Sequence, residues 1–447
     1  MPTTFRARSI AARALWALLL VVLVTAPGWT QGFPQTAPES VGISRERLDR
    51  VSKVMQQYID QRRAAGIVTI VVRDGKLVQL AAYGKRDIEA NSPMQTDAIF
   101  RIASMSKAIT STAAMILMEE GKLLLSDPVS KFIPSFKNST VAVAPPAGAP
   151  ADAPIGILPA KREIAIKDLL THTAGISYGG GPAAARWKAA GLDSFYCADK
   201  DEPIGTLVER MGKLPMEGQP GEKFIYGYNT DILGAVVEKV SGMPLDQFFQ
   251  TRIFEPLKMN DTSFYLPTGK RARLAAVYSL KDATAAVERA PDPGLGQGDY
   301  VDGPRKCFAG GAGLLSTATD YARFLQMLVN GGELEGVRIL GPKTIELMTS
   351  NAVGTLFNEG KAGFGLGFEI VDTVGAVELP GSPGTFSWGG AYHTSYWADP
   401  KEKIVAVLMT QLLPANGSDL LNKFRFMVYQ AVVAPPEPQA VPVTKRK

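Results

Sequence analysis

Ser104 and Lys107 stand three residues apart in Ser104-Met105-Ser106-Lys107, at the head of a stretch that is apolar or small nearly all round. Residues i and i+3 share a helix face. At the first turn of a buried helix, Ser Oγ and Lys Nζ therefore come within reach of each other. Burial and the positive end of the helix dipole both disfavour an ammonium. A Lys so placed can accept the Ser proton and make the hydroxyl a nucleophile. The alternative, a Ser cap followed by a surface Lys, sits poorly on so apolar a helix. The bare pattern is weak, because about one Ser-x-x-Lys is expected by chance in a chain this long. A second motif competes: Gly175-Ile176-Ser177-Tyr178-Gly179 fits G-x-S-x-G. That motif needs a strand before the Ser and a helix after it. Here a helical pattern and Thr171-His172-Thr173-Ala174 precede, and Gly180-Gly181-Pro182 follows, so Ser177 reads as a turn residue. His393 could be cast as its base, but no spacing supports that.

Metal chemistry has little to draw on. The chain has two His and two Cys in 447 residues, and no H-E-x-x-H pattern, whereas a catalytic zinc usually takes about three His or Cys ligands. No metal and no cofactor are expected. The net charge of +5 is carried by Arg6, Arg8 and Arg13 near the start and by Lys445, Arg446 and Lys447 against Glu437 at the end. The body is neutral, which argues against a nucleic-acid partner, since phosphate binding needs a basic face. The three leading Arg precede an apolar run, Ala14–Val24, that is too short to span a bilayer and suits an export signal. Cleavage is expected between Ala26 and Gly32, giving a periplasmic or secreted protein with no stable membrane insertion. An exported chain with two Cys can hold one bridge, Cys197–Cys307; two buried thiols are the preferred reading.

Several elements must position this chemistry. Ser44 caps a helical pattern with Leu48, Val51, Val54, Met55 and Ile59 at helix spacing. Ile67–Arg73 and Lys76–Tyr83 read as strands around an Asp74-Gly75 turn, a strong hairpin signal. Ser104–Glu120 reads as a helix buried on every side, ending at Gly121. The Pro/Ala-rich segment 141–160 reads as an exposed loop. Helical patterns follow at Ile166–Thr171, Pro203–Met211, Thr230–Ser241 and Leu245–Ile253. Strands return at Gly365–Val371, Thr385–Gly389, Thr394–Ala398 and Lys403–Thr410, before a last helix, Ser418–Val433. The fold class is therefore α/β, with an antiparallel sheet drawn from both termini, flanked by helices, and an inserted mainly helical region. The expected division is a signal over 1–32, a discontinuous α/β domain over 36–110 and 305–433, a helical insertion over 111–304, and a disordered tail over 434–447.

Several motifs together resemble the serine β-lactamase/penicillin-binding superfamily: Ile99-Phe-Arg-Ile-Ala-Ser-Met-Ser-Lys107, Leu169-Leu-Thr-His-Thr-Ala-Gly175, Ile253-Phe-Glu-Pro-Leu-Lys-Met259 and Gly310-Gly-Ala-Gly-Leu-Leu-Ser-Thr317. Within it, the chain most resembles class C β-lactamase-like carboxylesterases, the family VIII esterases. The resemblance spans roughly residues 40–430 and implies a β-lactamase-like fold. It implies Ser104 as nucleophile, with Lys107 and Tyr226 as coupled base and acid; Tyr228 is the runner-up phenol. It implies an oxyanion hole from the backbone N–H groups of Ser104 and Ala391. The family's Y-x-N motif departs here, with Tyr228 at the Asn position and Asn229 one residue late. Where β-lactamases carry Lys-Thr-Gly, this chain has Trp388-Gly389-Gly390. Replacing that cation by an indole shifts the expected substrate towards neutral acyl esters. Tyr228, Trp388, Gly389, Gly390 and His393 are the expected substrate contacts. The expected partner is a small acyl ester or amide. A β-lactamase, a D-alanyl peptidase, another amide hydrolase, a non-catalytic peptidoglycan-binding relative and an α/β-hydrolase using Ser177 remain as alternatives.

Overall fold

Asp74 and Gly75 both adopt positive φ (52° and 72°), the conformation that a two-residue hairpin turn requires. They join strand β1 (Gly66–Arg73) to β2 (Lys76–Asp87), with Arg73 opposite Lys76. The computed structural model describes Met1 and residues 32–150, 153–292 and 294–435. The expected export signal over 1–32, apart from Met1 and Gly32, and most of the expected tail over 434–447 lie outside the described residues. β1 and β2 continue into β3 (Ser92–Pro93). On the other side of β1 the chain returns near its end with β4 (Gly363–Phe364), β5 (Glu369–Ile370), β6 (Phe386–Gly390), β7 (Thr394–Asp399) and β8 (Ile404–Met409). The sheet runs β4-β5-β6-β7-β8-β1-β2-β3, antiparallel throughout.

Every residue of β1 is buried, because both faces of the sheet are covered. Val68, Ile70 and Val72 join one core, and Ile67 and Val71 the other, as the period of two along a strand dictates. The second core is closed by helices α1 (Arg45–Asp60), capped by Ser44 accepting from the Arg47 amide, and α5 (Leu420–Tyr429). The first holds α2 (Ser106–Glu119), α3 (Asn229–Ser241) and α4 (Ala318–Val329). α2 is buried from Ser106 to Leu117 and stops at Gly121 (φ 71°). Its sequence offers no polar face to water, and the fold gives it none.

Three expectations change. Gly365–Val371 is not one strand: Gly367 takes φ 102°, and a turn closed by the Gly365 amide on the Phe368 carbonyl leaves only Glu369–Ile370 of it as strand β5, paired with β4 just before the turn. A side chain at Gly367 would run into Ser111 of α2, so the turn lies hard against the helix. The 141–160 segment is a hairpin rather than a loop, with Thr140–Val143 paired to Gly156–Pro159. Cys197 and Cys307 are bonded, with Cα atoms 6.1 Å apart, which replaces the expectation of two thiols. Nothing local in either segment signals that residues 110 apart in sequence will meet.

Candidate active site

Ser104 lies on a 3-10 turn, Ala103–Met105, that leads directly into α2. Its neighbours are buried, while Ser104 itself is half-buried. Ala103, the preceding residue, is held at φ 39°. Strained non-glycine backbone of this kind persists only where its surroundings fix it. Here Ile102 donates to Leu314, and Tyr321 donates to the Met105 carbonyl at 2.8 Å.

Lys107 is buried one helical turn on. Its Nζ donates to Ser104 Oγ (3.2 Å), Tyr178 Oη (3.0 Å) and the Gly311 carbonyl (2.7 Å). The three acceptors match the three donors of the ammonium that forms once Lys107 takes up a proton. The segment 310–314 supplies one of them because it is fastened along α2. Thr110 donates to the Gly310 carbonyl at 2.7 Å, and the Leu314 amide donates to Ser106 Oγ at 3.1 Å.

Tyr226 comes from the loop before α3. Its ring lies 4.7 Å from Lys107 Nζ, a cation–π distance. Its hydroxyl accepts from Trp388 Nε1 at 3.2 Å. His172 packs against the same ring, with centroids 4.7 Å apart and the planes tilted by 41°. His172 Nδ1 is paired with Asn229 Nδ2 at 3.1 Å. That amide nitrogen also donates to the Ile176 and Ile225 carbonyls at 3.0 and 3.2 Å. Burial first, then the Lys107 charge, push the His172 pKa well below 6.5, which keeps the ring neutral. The Asn one residue late in the motif thus braces the loop from below.

Tyr178 is the residue that sequence reasoning missed. It sits inside the G-x-S-x-G stretch that reads as a competing nucleophile motif. Ser177 Oγ accepts from the Gly180 amide at 2.8 Å, as a turn residue does. The Ser177 backbone packs on Gly227, where any side chain would collide with it. This close approach delivers Tyr178 to the site, edge-on to Tyr226 with centroids 5.9 Å apart. Burial and the nearby Asp231 charge hold the Tyr178 phenol well above 10, so it meets Lys107 as a neutral phenol. Only the local Gly-x-Ser-Tyr-Gly pattern hints at this Tyr, and it carries no distance information.

Tyr228 packs edge-on against Tyr178, with ring centroids 4.8 Å apart. It is buried, donates to the Ser194 carbonyl at 2.7 Å, and stacks on Trp187. Its phenol is thereby committed to packing. Trp388 does face Tyr226, and with Phe224, Phe357 and Phe364 it builds an aromatic wall beside it. Gly390 lets β6 run against the nucleophile turn, since a Cβ there would strike the Ile102 carbonyl and Thr394 Oγ1. Gly389 is half-buried on the same strand, and Ala391 follows it at the exposed end. His393 turns away: its Nε2 pairs with Ser418 Oγ at 2.8 Å, and burial lowers its pKa to about 4. Among the described residues it makes no hydrogen bond to the Ser104 cluster. Nor is any group of three or more His, Cys, Asp or Glu among them placed to hold a metal ion.

The arrangement can move a proton from Ser104 to Lys107; Tyr226 presents its ring to that amine and its hydroxyl to Trp388, and the phenol hydrogen-bonded to Lys107 is Tyr178. Such a proton transfer from Ser104 is the chemistry of acyl transfer through a serine ester. Sequence comparison agrees. Residues 51–425 match the Beta-lactamase family. Protein Rv1367c of Mycobacterium tuberculosis is 36% identical over 83% of this chain and 92% of its own length. Esterase EstB of Burkholderia gladioli is 29% identical over 81% and 89%. Among solved structures, EstCE1, described as a hydrolase with promiscuous acyltransferase activity, superposes with a TM-score of 0.72 at 29% identity, covering 86% of this chain and 99% of its own.

Proposed function

Because the chain belongs to the β-lactamase family and is a serine hydrolase of that family, we propose that it is a carboxylesterase acting on short-chain acyl esters through an acyl-enzyme on Ser104. The observation that carries this reading is Trp388. At the position where a lactam carboxylate would meet a cation stands an indole, its N–H spent on Tyr226 and its ring set in the aromatic wall. That surface suits a neutral apolar ester and offers an anion nothing.

Ser104 Oγ attacks the ester carbonyl carbon and its proton passes to Lys107 over the 3.2 Å contact. Backbone amides of Ser104 and Ala391 hold the oxyanion, each typically supplying about 3–4 kcal/mol of transition-state stabilisation. The carbon–oxygen bond to the alcohol breaks, and the alcohol leaves with a proton delivered through Tyr226 and Lys107. Water then attacks the acyl-enzyme, releases the acid and returns the proton to Ser104.

The test is turnover of p-nitrophenyl butyrate beside a chromogenic cephalosporin, with Ser104→Ala as control. Fast ester turnover, little lactam turnover and an inactive control are expected. Strong lactam turnover, or ester turnover surviving in Ser104→Ala, refutes the reading. Export completes the proposal. The basic-then-apolar start and the bond between Cys197 and Cys307 both suit an oxidising compartment. Sequencing of the mature protein that finds Met1 in place would count against it.

A further inference from the structure

Asp231 lies on the first turn of α3, fully buried and one peptide away from Lys107. Its Oδ1 accepts from the Gly311 amide at 2.9 Å, and the carbonyl of that same residue accepts from Lys107 at 2.7 Å. Its Oδ2 is buried and has no hydrogen-bond partner among the described residues. A side chain at Gly311 would collide with this carboxylate. The missing Cβ at Gly311 therefore lets the carboxylate approach the segment that holds the lysine, while at Gly310 it makes room for the Thr230 carbonyl and Thr110. A buried carboxylate with an empty oxygen is costly, so its retention calls for a use. The ionisable groups facing it are Lys107 from α2, Tyr178 from the 171–181 loop and Tyr228 from the turn before α3. Around Lys107 stand His172, Tyr178 and Tyr226. Both His172 and Tyr178 are held neutral, so Asp231 supplies the negative charge of this group.

We infer that Asp231 is a positioning residue for Lys107: locked to the Gly311 peptide, its carboxylate orients the amine and stabilises the ammonium formed when Lys107 takes the Ser104 proton. This rests on Ser104 being the nucleophile. The logic is that of a buried carboxylate behind a catalytic base, which stabilises the protonated base without itself accepting the proton. Burial raises the Asp231 pKa to about 6 against the pull of Lys107, so the stabilising charge is present above that pH and fades below it.

The test is the pH dependence of Ser104 labelling by a fluorophosphonate in the full-length protein, wild type against Asp231→Asn. In this reaction the Oγ–P bond forms, fluoride leaves, and the Ser104 proton goes to Lys107. No ester preference enters. Asn keeps an oxygen for the Gly311 amide and loses the charge. Labelling is expected to slow at least tenfold. The limb on which the rate rises with pH is expected to move to lower pH by about one to three units, the displacement that removing an opposite charge within about 4–6 Å produces. The melting temperature should hold or rise, since a costly buried charge is gone. Equal rates with superimposable pH profiles would overturn the proposal. So would an Asn variant that cannot fold, because the carboxylate would then be a structural prop. A wild type that labels elsewhere than Ser104 would instead bring down the functional reading beneath it.

Discussion

Tyr226 and Tyr178 lie on two sides of one amine, and replacing each in turn by Phe assigns their roles. Tyr178 gives Lys107 a 3.0 Å acceptor and stays protonated. Its removal costs one hydrogen bond to a charged group, about 1.5–3 kcal/mol, or roughly a 10- to 150-fold loss in kcat/KM where the whole bond is realised in the transition state. Tyr226 is the proposed proton carrier, and loss of a general acid or base costs about 10²–10⁴-fold. The leaving group separates the two effects. A p-nitrophenolate departs without needing a proton, whereas an alkoxide needs one. With Tyr226→Phe the deficit should be larger on an alkyl butyrate, followed by acid release in a pH-stat, than on p-nitrophenyl butyrate. With Tyr178→Phe it should be the same on both, and the shape of the pH profile should not change. A leaving-group effect that appears in Tyr178→Phe and not in Tyr226→Phe would refute the assignment.

Gly390→Ala should abolish most ester turnover and lower the melting temperature, because the new methyl group strikes the Ile102 carbonyl two residues before the nucleophile; a fully active variant would show that β6 does not set the position of Ser104. His393→Ala should leave the pH–rate profile between about pH 5 and 8 unchanged, since the ring is already neutral there. The same shift has a stability sign. A His whose pKa falls from 6.5 unfolded to about 4 folded costs the wild type stability as pH drops through that interval, so His393→Ala should flatten the acid side of a melting-temperature profile. Finally, thiol titration of the denatured, unreduced protein should find no free thiol. Removing the Cys197–Cys307 bond, which closes a loop of 110 residues, should destabilise by about 4–5 kcal/mol; two titratable thiols would contradict the bond.

What the sequence determined by itself is what one turn or one strand decides locally. Asp74-Gly75 dictates the β1–β2 hairpin because both residues accept positive φ. The absence of a polar face from Ser106 to Leu117 dictates that α2 is buried. The i, i+3 spacing places Ser104 beside Lys107, whatever surrounds them. Everything that makes this pair selective depends on segments far apart in the chain. Tyr178 reaches Lys107 because the Ser177 backbone fits against Gly227. Asp231 reaches it through Gly311, and Trp388 finds Tyr226 across 162 residues. Tyr228 and His393 have the right residue types, yet Ser194 and Ser418 claim them. Spacing fixes which side chains share a local face. Close packing of separate segments decides which polar atoms are turned towards Ser104 and Lys107 and which are spent on partners elsewhere.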